Sequence, residues 1–298
     1  SFKILKDGYA RDKGTIYYHG ETVKKQNGDN EVDIKTFEIL EGNVAKDKNT
    51  VYINGIDFTN VDVNTVKIVK SKDDFINYVK DKNGIYWIGS PDVNRHYDKE
   101  TFEDLGDFFA RDKNYIYYFE EPLKFIDKAS FKKLSDSYIS DKNGIYYLDK
   151  IIKGADKNSF EIMELDYAKD KNHIYRGSEA IDSSLSEKIK DPKTFEFLPN
   201  GIIYATLYGK DKYNVYYIKN KMLNCFDSSY FIYEVKRINK DKVEVLNDWF
   251  IKDDKNIYFK GKILEGVDYN TFKVLPNGDG KDKNRSYEYL TKDEWKWF

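Results

Sequence analysis

The sequence of 298 residues has one cysteine, three histidines and no long apolar run. The single thiol, Cys225, excludes a disulfide within the chain but leaves the cellular compartment open. No stretch approaches the roughly 18 apolar residues of a membrane-spanning helix, so no membrane span is predicted. The 50 basic and 52 acidic side chains nearly cancel. No global field therefore marks a nucleic-acid or membrane partner, and we predict no nucleic-acid partner.

The motifs of common catalytic and metal sites are also missing. There is no glycine-rich phosphate loop, no Gly-x-Ser-x-Gly elbow and no zinc signature. His19, His96 and His173 share no ligand spacing, and Cys225 has no His or Asp partner nearby in sequence. With so many acidic residues, adjacent acid pairs carry no information about glycoside hydrolysis. We predict no catalytic residue, no cofactor, no metal and no enzymatic activity.

Aromatic residues and a repeated phrase are what the chain has in abundance. Its 26 tyrosines and 19 phenylalanines favour strands over helices. The phrase Asp-Lys-Asn-x-Ile/Val-Tyr, here called the turn phrase, recurs nine times. Its copies open at Asp12, Asp47, Asp81, Asp112, Asp141, Asp170, Asp211, Asp254 and Asp282.

The turn phrase predicts a β-hairpin. Asn143-Gly144 and Asn83-Gly84 tolerate positive φ, and the aspartate can accept hydrogen bonds from amides two and three residues on. The lysine beside each aspartate would oppose a cation, so turn capping is favoured over calcium binding. Side chains alternate along a strand. The Ile/Val and Tyr rows should therefore lie on opposite faces, with the next residue back on the Ile/Val face.

A second phrase, Asp-x-x-Thr/Ser-Phe, alternates with the first and is here called the cap phrase. Asp is a strong helix N-cap, and Pro192 stands where a first helical residue would. We predict one capped helical turn that delivers the Phe into the core, followed by one long or bulged strand. The copies are 33–37, 62–66, 98–102, 127–131, 156–160, 191–195 and 268–272, with a weaker one at 227–231.

These phrases predict an all-β fold of about nine tandem β-hairpin repeats, each of about 30–40 residues, with short capped helical turns. Both an open twisted array and a propeller-like ring fit this pattern. We expect one continuous domain over residues 1–298, starting inside a repeat whose first half, and any targeting signal, has been removed. Irregular segments at 177–186 and 219–250 and a C-terminal cap at 288–298 interrupt the pattern.

Candidate binding residues come from the position after the Ile-Tyr pair and from the irregular segments. That position is varied and tolerates Arg176, which indicates partial exposure. The tyrosine row itself is interpreted as a core layer whose hydroxyls reach the rim. The candidates are Trp87, Tyr118, Tyr147, Arg176, Tyr217, Lys236, Arg237 and Trp249.

The paired phrases resemble the DKNYY family of bacterial repeat proteins over essentially the whole chain. The resemblance implies a repeat scaffold and proteins that are often exported or envelope-associated. It transfers no catalytic residue.

The leading functional hypothesis is a non-enzymatic binding module of a bacterial surface or secreted protein, with a protein or glycan partner. One alternative is a cytosolic, protein-binding inhibitor or regulator of another enzyme. A glycan-active enzyme is a further alternative that no constellation supports. We expect an envelope or secreted location, with the cytoplasm as the alternative.

Overall fold

The computed structural model describes residues 2–25, 31–72, 75–89, 97–164, 166–181, 189–199, 206–224 and 227–288, and of 206–207 and 220–230 the backbone alone. The chain divides into two compact units, residues 1–143 and 144–298. The single continuous domain expected from the sequence stays a prediction. Predicted features at Cys225, at His96, at the tip of the 177–186 loop and in the cap from 289 onward lie outside the described residues.

Nine small antiparallel sheets of three or four strands follow one another along the described chain, and none of them is closed. The all-β, tandem-hairpin fold predicted from the sequence is therefore confirmed. In the first unit the strands are β1 (Lys3–Ile4), β2 (Tyr9–Arg11), β3 (Ile16–Tyr18), β4 (Glu21–Thr22), β5 (Glu38–Glu41), β6 (Val44–Lys46), β7 (Val51–Ile53), β8 (Ile56–Phe58), β9 (Lys67–Ile68), β10 (Tyr78–Lys80), β11 (Ile85–Trp87), β12 (Glu103–Gly106), β13 (Phe109–Arg111), β14 (Ile116–Tyr118), β15 (Glu121–Pro122), β16 (Lys132–Lys133) and β17 (Tyr138–Ser140).

The second unit continues the same pattern. Its strands are β18 (Ile145–Tyr147), β19 (Lys150–Ile151), β20 (Glu161–Ile162), β21 (Tyr167–Lys169), β22 (Ile174–Arg176), β23 (Glu179–Ala180), β24 (Glu196–Phe197), β25 (Thr206–Lys210), β26 (Val215–Asn224), β27 (Asp227–Glu234), β28 (Glu244–Val245), β29 (Phe250–Lys252), β30 (Ile257–Phe259), β31 (Lys262–Ile263), β32 (Lys273–Val274), β33 (Gly280–Lys281) and β34 (Ser286–Tyr287). The 3₁₀ turns among the described residues are η1 (Lys128–Ser130), η2 (Pro192–Thr194) and η3 (Lys240–Lys242).

The segment between the cap and turn phrases is itself a hairpin, so the predicted single long strand is wrong. β5 and β6 pair antiparallel with Ile39 opposite Ala45, and a bulge follows Ile39. The chain reverses at Gly42, whose φ of 53° lies in the left-handed region that glycine tolerates best. A complete repeat therefore comprises a capped turn and a meander of four strands, which contains three successive hairpins.

The turn phrase has the geometry that the sequence predicts. Asp47 Oδ1 accepts hydrogen bonds from the backbone N–H groups of Asn49 (2.7 Å) and Thr50 (2.8 Å). The Asp47 N–H donates to the carbonyl of Thr50 (2.9 Å), which closes the loop between β6 and β7. Thr50 stands at the position that Gly84 and Gly144 occupy in two other copies. The hydrogen bonds to the aspartate, and not an Asn-Gly pair, are therefore the main determinant of this turn.

The second carboxylate oxygen of the same residue makes a longer-range connection, here called the aspartate link. Asp47 Oδ2 accepts from the Asp33 N–H (2.8 Å), at the start of the cap phrase, and from the Tyr52 hydroxyl (2.9 Å). Tyrosine hydroxyls donate to turn aspartates at Tyr17–Asp12, Tyr52–Asp47, Tyr86–Asp81, Tyr117–Asp112, Tyr175–Asp170, Tyr216–Asp211, Tyr258–Asp253 and Tyr287–Asp282. The tyrosine row is therefore part of the scaffold.

The cap phrase adds two further contacts to this link. Asp127 caps η1 by accepting from the Ser130 N–H (3.1 Å), and the Ser130 hydroxyl accepts from the Lys142 N–H (2.8 Å). The Lys142 ammonium pairs with the Asp127 carboxylate (2.7 Å). The same ion pair recurs at Lys48–Asp33, Lys82–Asp62, Lys113–Asp98, Lys171–Asp156, Lys212–Asp191 and Lys283–Asp268. Solvent screens these exposed pairs, so they fix geometry more than they stabilise.

One repeat is built differently from the prediction. Asp253, not Asp254, is its turn aspartate, because Asp253 Oδ1 accepts from the N–H groups of Lys255 and Asn256. Its cap is Asn239, which precedes η3. The Asn239 N–H donates to Asp253 Oδ2 (2.8 Å). The weak cap copy at 227–231 is also wrong, since those residues lie in strand β27.

The apolar core of each unit lies between consecutive sheets. In the first unit, Tyr9 of the first sheet packs with Ala45 and Tyr52 of the second. In the second unit, Tyr208 and Val215 belong to the same buried cluster as residues of the next sheet. A fully buried side chain of this size contributes about 1.5–3 kcal/mol. Each sheet is thus stabilised by its neighbour, as expected for stacked repeats.

Candidate functional site

The predicted binding row is half-buried in most repeats. Trp87, Tyr118, Tyr147 and Arg176 are all of this kind, whereas Tyr217 is only 2% exposed. The partial exposure predicted for this row therefore does not hold at Tyr217, whose side chain is buried beneath the surface. The described candidates fall into separate groups, one in the first unit and two in the second.

Two candidates of the first unit join an aromatic cluster, here called the aromatic platform. Trp87 meets the ring of Phe119 edge-on (5.5 Å between centroids), and Tyr118 does the same (4.7 Å). Phe119 in turn stacks on Phe108 (4.5 Å), which is 43% exposed. Neither phenylalanine was predicted from the sequence. Phe108 had a signal, the aromatic pair Phe108-Phe109 in a turn where three other copies of the first unit have Gly8, Asn43 and Asn77.

Tyr147 and Arg176 belong to the second unit and serve packing contacts. The Arg176 guanidinium lies over the ring of Tyr167 at 5.2 Å from its centroid. An added Cβ on Gly177 would lie 3.5 Å from the Tyr147 ring, so the turn after β22 rests on that side chain. Neither residue borders the cavity described next.

Three of the four remaining candidates line a cavity of about 600 Å³ in the second unit, here called the groove; the fourth, Trp249, does not line it. It lies where the end of β27 faces β31 and the turn before it. The lining residues are Tyr217, Tyr233, Glu234, Lys236, Arg237, Lys260, Gly261, Lys262, Ile263 and Glu265. The groove brings together three predicted residues, Tyr217, Lys236 and Arg237. The sequence analysis missed Tyr233 and Lys260.

Two tyrosine rings form the floor of the groove. Tyr217 is nearly parallel to Tyr233 (26°, centroids 6.3 Å apart) and packs against Tyr208 (5.2 Å). Tyr233 remains 38% exposed. Gly261, at φ 78°, comes so close that a Cβ would lie 2.8 Å from the Cβ of Tyr217. Glycine at this position therefore lets the turn before β31 approach the rings.

A buried hydroxyl joins the floor to the neighbouring loops. The Tyr208 hydroxyl donates to the Trp249 carbonyl (3.0 Å) and accepts from the Gly261 N–H (3.0 Å). Burial raises the pKa of Tyr208 well above its ordinary value, so the hydroxyl stays a neutral donor. Trp249 thereby takes a fixed position beside the groove.

The rim of the groove is cationic. The Lys236 ammonium lies 2.8 Å from the Glu234 carboxylate, and Arg237 is exposed. The Lys260 ammonium lies over the Trp249 ring (5.1 Å), a cation–π contact that orients the charge. The Arg237 carbonyl accepts from the Tyr258 hydroxyl (2.9 Å), which ties this part of the rim to an aspartate link.

The first unit contains an equivalent cavity of about 440 Å³, here called the first-unit cavity. Tyr18 takes the place of Tyr217, and Gly55 takes that of Gly261 with a Cβ distance of 2.9 Å. Its lining has one lysine and one glutamate, Lys24 and Glu21. The shape is thus a property of the repeat, whereas the charge is particular to the second unit.

Among the residues that the structure describes, no group of three or more His, Cys, Asp and Glu side chains could hold a metal ion. The same described segments contain no helix that is both long and apolar enough to cross a membrane. The buried carboxylates of the turn aspartates are accounted for by the hydrogen bonds that they accept within each repeat. Burial tends to raise the pKa of Asp170, but hydrogen bonds from the Asp156 and Asn172 N–H groups and the Tyr175 hydroxyl hold it below its ordinary range.

Short sheets, each with its own aspartate link and with apolar layers shared between neighbours, define a tandem β-hairpin repeat protein. The family model for the DKNYY family matches residues 9–150 and, a second time, residues 138–291. The chain therefore belongs to the DKNYY family, as its two phrases predict. Comparisons with curated proteins and with solved structures gave no match.

Proposed function

We propose that this chain is a non-enzymatic repeat module that binds a macromolecular partner, a protein or a glycan, at a bacterial surface or in secreted form. The observation that carries the proposal is the groove. It is the place where residues of the irregular segment 219–250 meet a regular repeat, and its volume lies in the usual range of ligand sites, about 300–1,000 Å³.

The composition of the groove supports recognition. Exposed Tyr233 and Arg237 are of the residue types that dominate binding energy at interfaces. In the regular repeats, by contrast, tyrosines and lysines contact their own aspartates and serve the scaffold. The aromatic platform of the first unit offers a second contact surface, since Phe108 is exposed and rigidly stacked.

A pull-down from bacterial surface extract and from lysate tests the proposal. The bait is the whole chain, compared with a Tyr233→Ala/Arg237→Gly variant of the groove. The matched control is His19→Gly at the first-unit cavity. We expect a partner that the groove variant loses and the control keeps. Deleting residues 182–186, which keeps β23 and the buried Ile181, tests the predicted binding loop separately. Retention of every partner by both the groove variant and the deletion would contradict the proposal.

A further inference from the structure

We infer that the groove binds an acidic carbohydrate, with a sugar ring over Tyr233 and its carboxylate or phosphate group held by Arg237 and Lys260. This inference rests on the proposed function and names the ligand class of the same site. Three observations carry it: the charge of the rim, the backbone conformation of Arg237 and the exposed ring of Tyr233 on the floor.

The charge of the groove contrasts with the rest of the chain. Its lining has four basic side chains and two acidic ones, whereas the chain as a whole has a net charge of −2. One of the two acids, Glu234, is already paired with Lys236. The first-unit cavity has the same shape and no such excess. A local positive potential on an acidic protein favours an anionic ligand.

One of the rim cations stands where the backbone is unfavourable for it. Arg237 has φ 63°, two residues before the cap Asn239; the matching positions in two other repeats are Gly154 (φ 80°) and Gly266 (φ 69°). A side chain larger than glycine costs free energy in the left-handed region. Such outliers cluster at functional sites, and this one lines the groove. The φ of 49° at Lys260, by contrast, recurs at the same turn position of other repeats and is a feature of the scaffold.

The floor favours a sugar over an acidic peptide. Tyr233 presents an exposed ring that is nearly parallel to the ring of the buried Tyr217, and the face of an aromatic ring suits the apolar face of a pyranose. A peptide would add as a strand to β31, which is only two residues long and offers little backbone for pairing. The combination of a flat aromatic floor with cationic donors therefore matches a ring that carries an anionic group.

Isothermal titration of the whole chain with defined probes tests the inference. The probes are an oligogalacturonate, a phosphorylated oligosaccharide, a neutral oligosaccharide of equal length and an oligoglutamate peptide. We expect one or both acidic saccharides to bind, the neutral one to bind at least about tenfold more weakly, and affinity to fall with added salt. The comparison of the two acidic saccharides distinguishes carboxylate from phosphate recognition.

Two glycine variants separate binding from folding. Arg237→Gly and Lys260→Gly relieve the left-handed strain, so each should keep or raise the melting temperature while lowering affinity about tenfold. His19→Gly, in the equivalent turn of the first unit (φ 48°), is the matched control and should leave affinity unchanged.

Equal affinity for oligoglutamate, unchanged affinity in both glycine variants, or no binding of either acidic saccharide overturns the inference. The proposed function would survive these outcomes if the pull-down still yields a groove-dependent partner.

Discussion

The strongest test of the scaffold is removal of one buried carboxylate. Asp170 is 1% exposed and accepts four hydrogen bonds, each of 2.7–2.8 Å. The donors are the N–H groups of Asn172, His173 and Asp156 and the Tyr175 hydroxyl. Asp170→Ala leaves these donors without their acceptor. If each loses about 1 kcal/mol, the free energy of unfolding falls by roughly 4 kcal/mol. For a unit of this size the melting temperature falls by about 10 °C.

Two further variants test the size of this loss in the free energy of unfolding. Asp170→Asn keeps the acceptor for Asn172 and His173 but turns its amide toward the Asp156 N–H, so we expect about half the loss. Asp12→Ala is the control, because Asp12 lies in the first copy, is less buried and has only Gly14, Thr15 and Tyr17 as partners among the described residues. Its loss should be clearly smaller. Urea unfolding followed by far-UV circular dichroism measures all three, and an Asp170→Ala loss no larger than that of Asp12→Ala would refute the aspartate link.

Three other predictions follow from the same structure. The pKa of Asp170 is lowered by folding, and the Lys142 ammonium and Ser130 hydroxyl lower that of Asp127 to about 2. Stability should therefore be constant above the unfolded value near pH 4 and be lost as the pH falls toward 2; an acid titration of the melting temperature that stays flat over this range would contradict the assignment. Tyr146→Ala should cost about 3–5 kcal/mol because Tyr146 is 4% exposed, whereas Glu179→Ala, at an exposed position of segment 177–186, should leave the melting temperature nearly unchanged. Gly209→Ala should also destabilise, since its Cβ would lie 2.3 Å from the buried Phe195 ring; a variant that melts with the wild type would show that this ring can move.

Local features of the repeat could be predicted because the two partners of each hydrogen bond lie within a few residues of each other in the sequence. Asp47 and the two amides that it caps span only four positions, so the residue types alone indicated the turn. The link to Asp33 was missed although its signal was present: cap and turn aspartates are 14 residues apart in most copies. Spacing alone does not show which oxygen contacts which donor, since that depends on how the intervening hairpin folds back.

The repeat whose turn aspartate was wrongly predicted as Asp254 shows which residues define the pattern. Asp254-Lys255 matches the first letters of the turn phrase, yet Tyr258 reaches Asp253, five residues before it. The distance to the tyrosine, not the Asp-Lys pair, therefore defines the turn. Asp254 occupies the lysine position, and its carboxylate accepts from the Asn239 side-chain amide (3.1 Å). Donor and acceptor are exchanged relative to the other repeats, and the contact is kept.

The groove could be predicted only in part. Lys236 and Arg237 were predicted because they form a basic cluster in an irregular segment. Tyr217 was predicted from its position in the repeat. Tyr233 and Lys260 gave no such signal, because they reach the groove from different sheets. Which residues of adjacent sheets face each other follows from the stacking of whole repeats, and no short sequence pattern encodes that register.

The aspartate link also bears on how such a chain folds and changes length. Its polar contacts join a cap, a turn and a tyrosine within about 20 residues, as from Asp33 to Tyr52. Loops of that size close quickly, so each repeat can form its own hydrogen bonds before it finds a neighbour. Between repeats the shared surface is mainly apolar, which tolerates changes of partner well, with a smaller number of polar contacts such as that of the Tyr208 hydroxyl with the Trp249 carbonyl. A duplication or loss of one whole unit in the gene therefore leaves the aspartate link of every remaining repeat intact, and only the contacts at the new junction have to adapt.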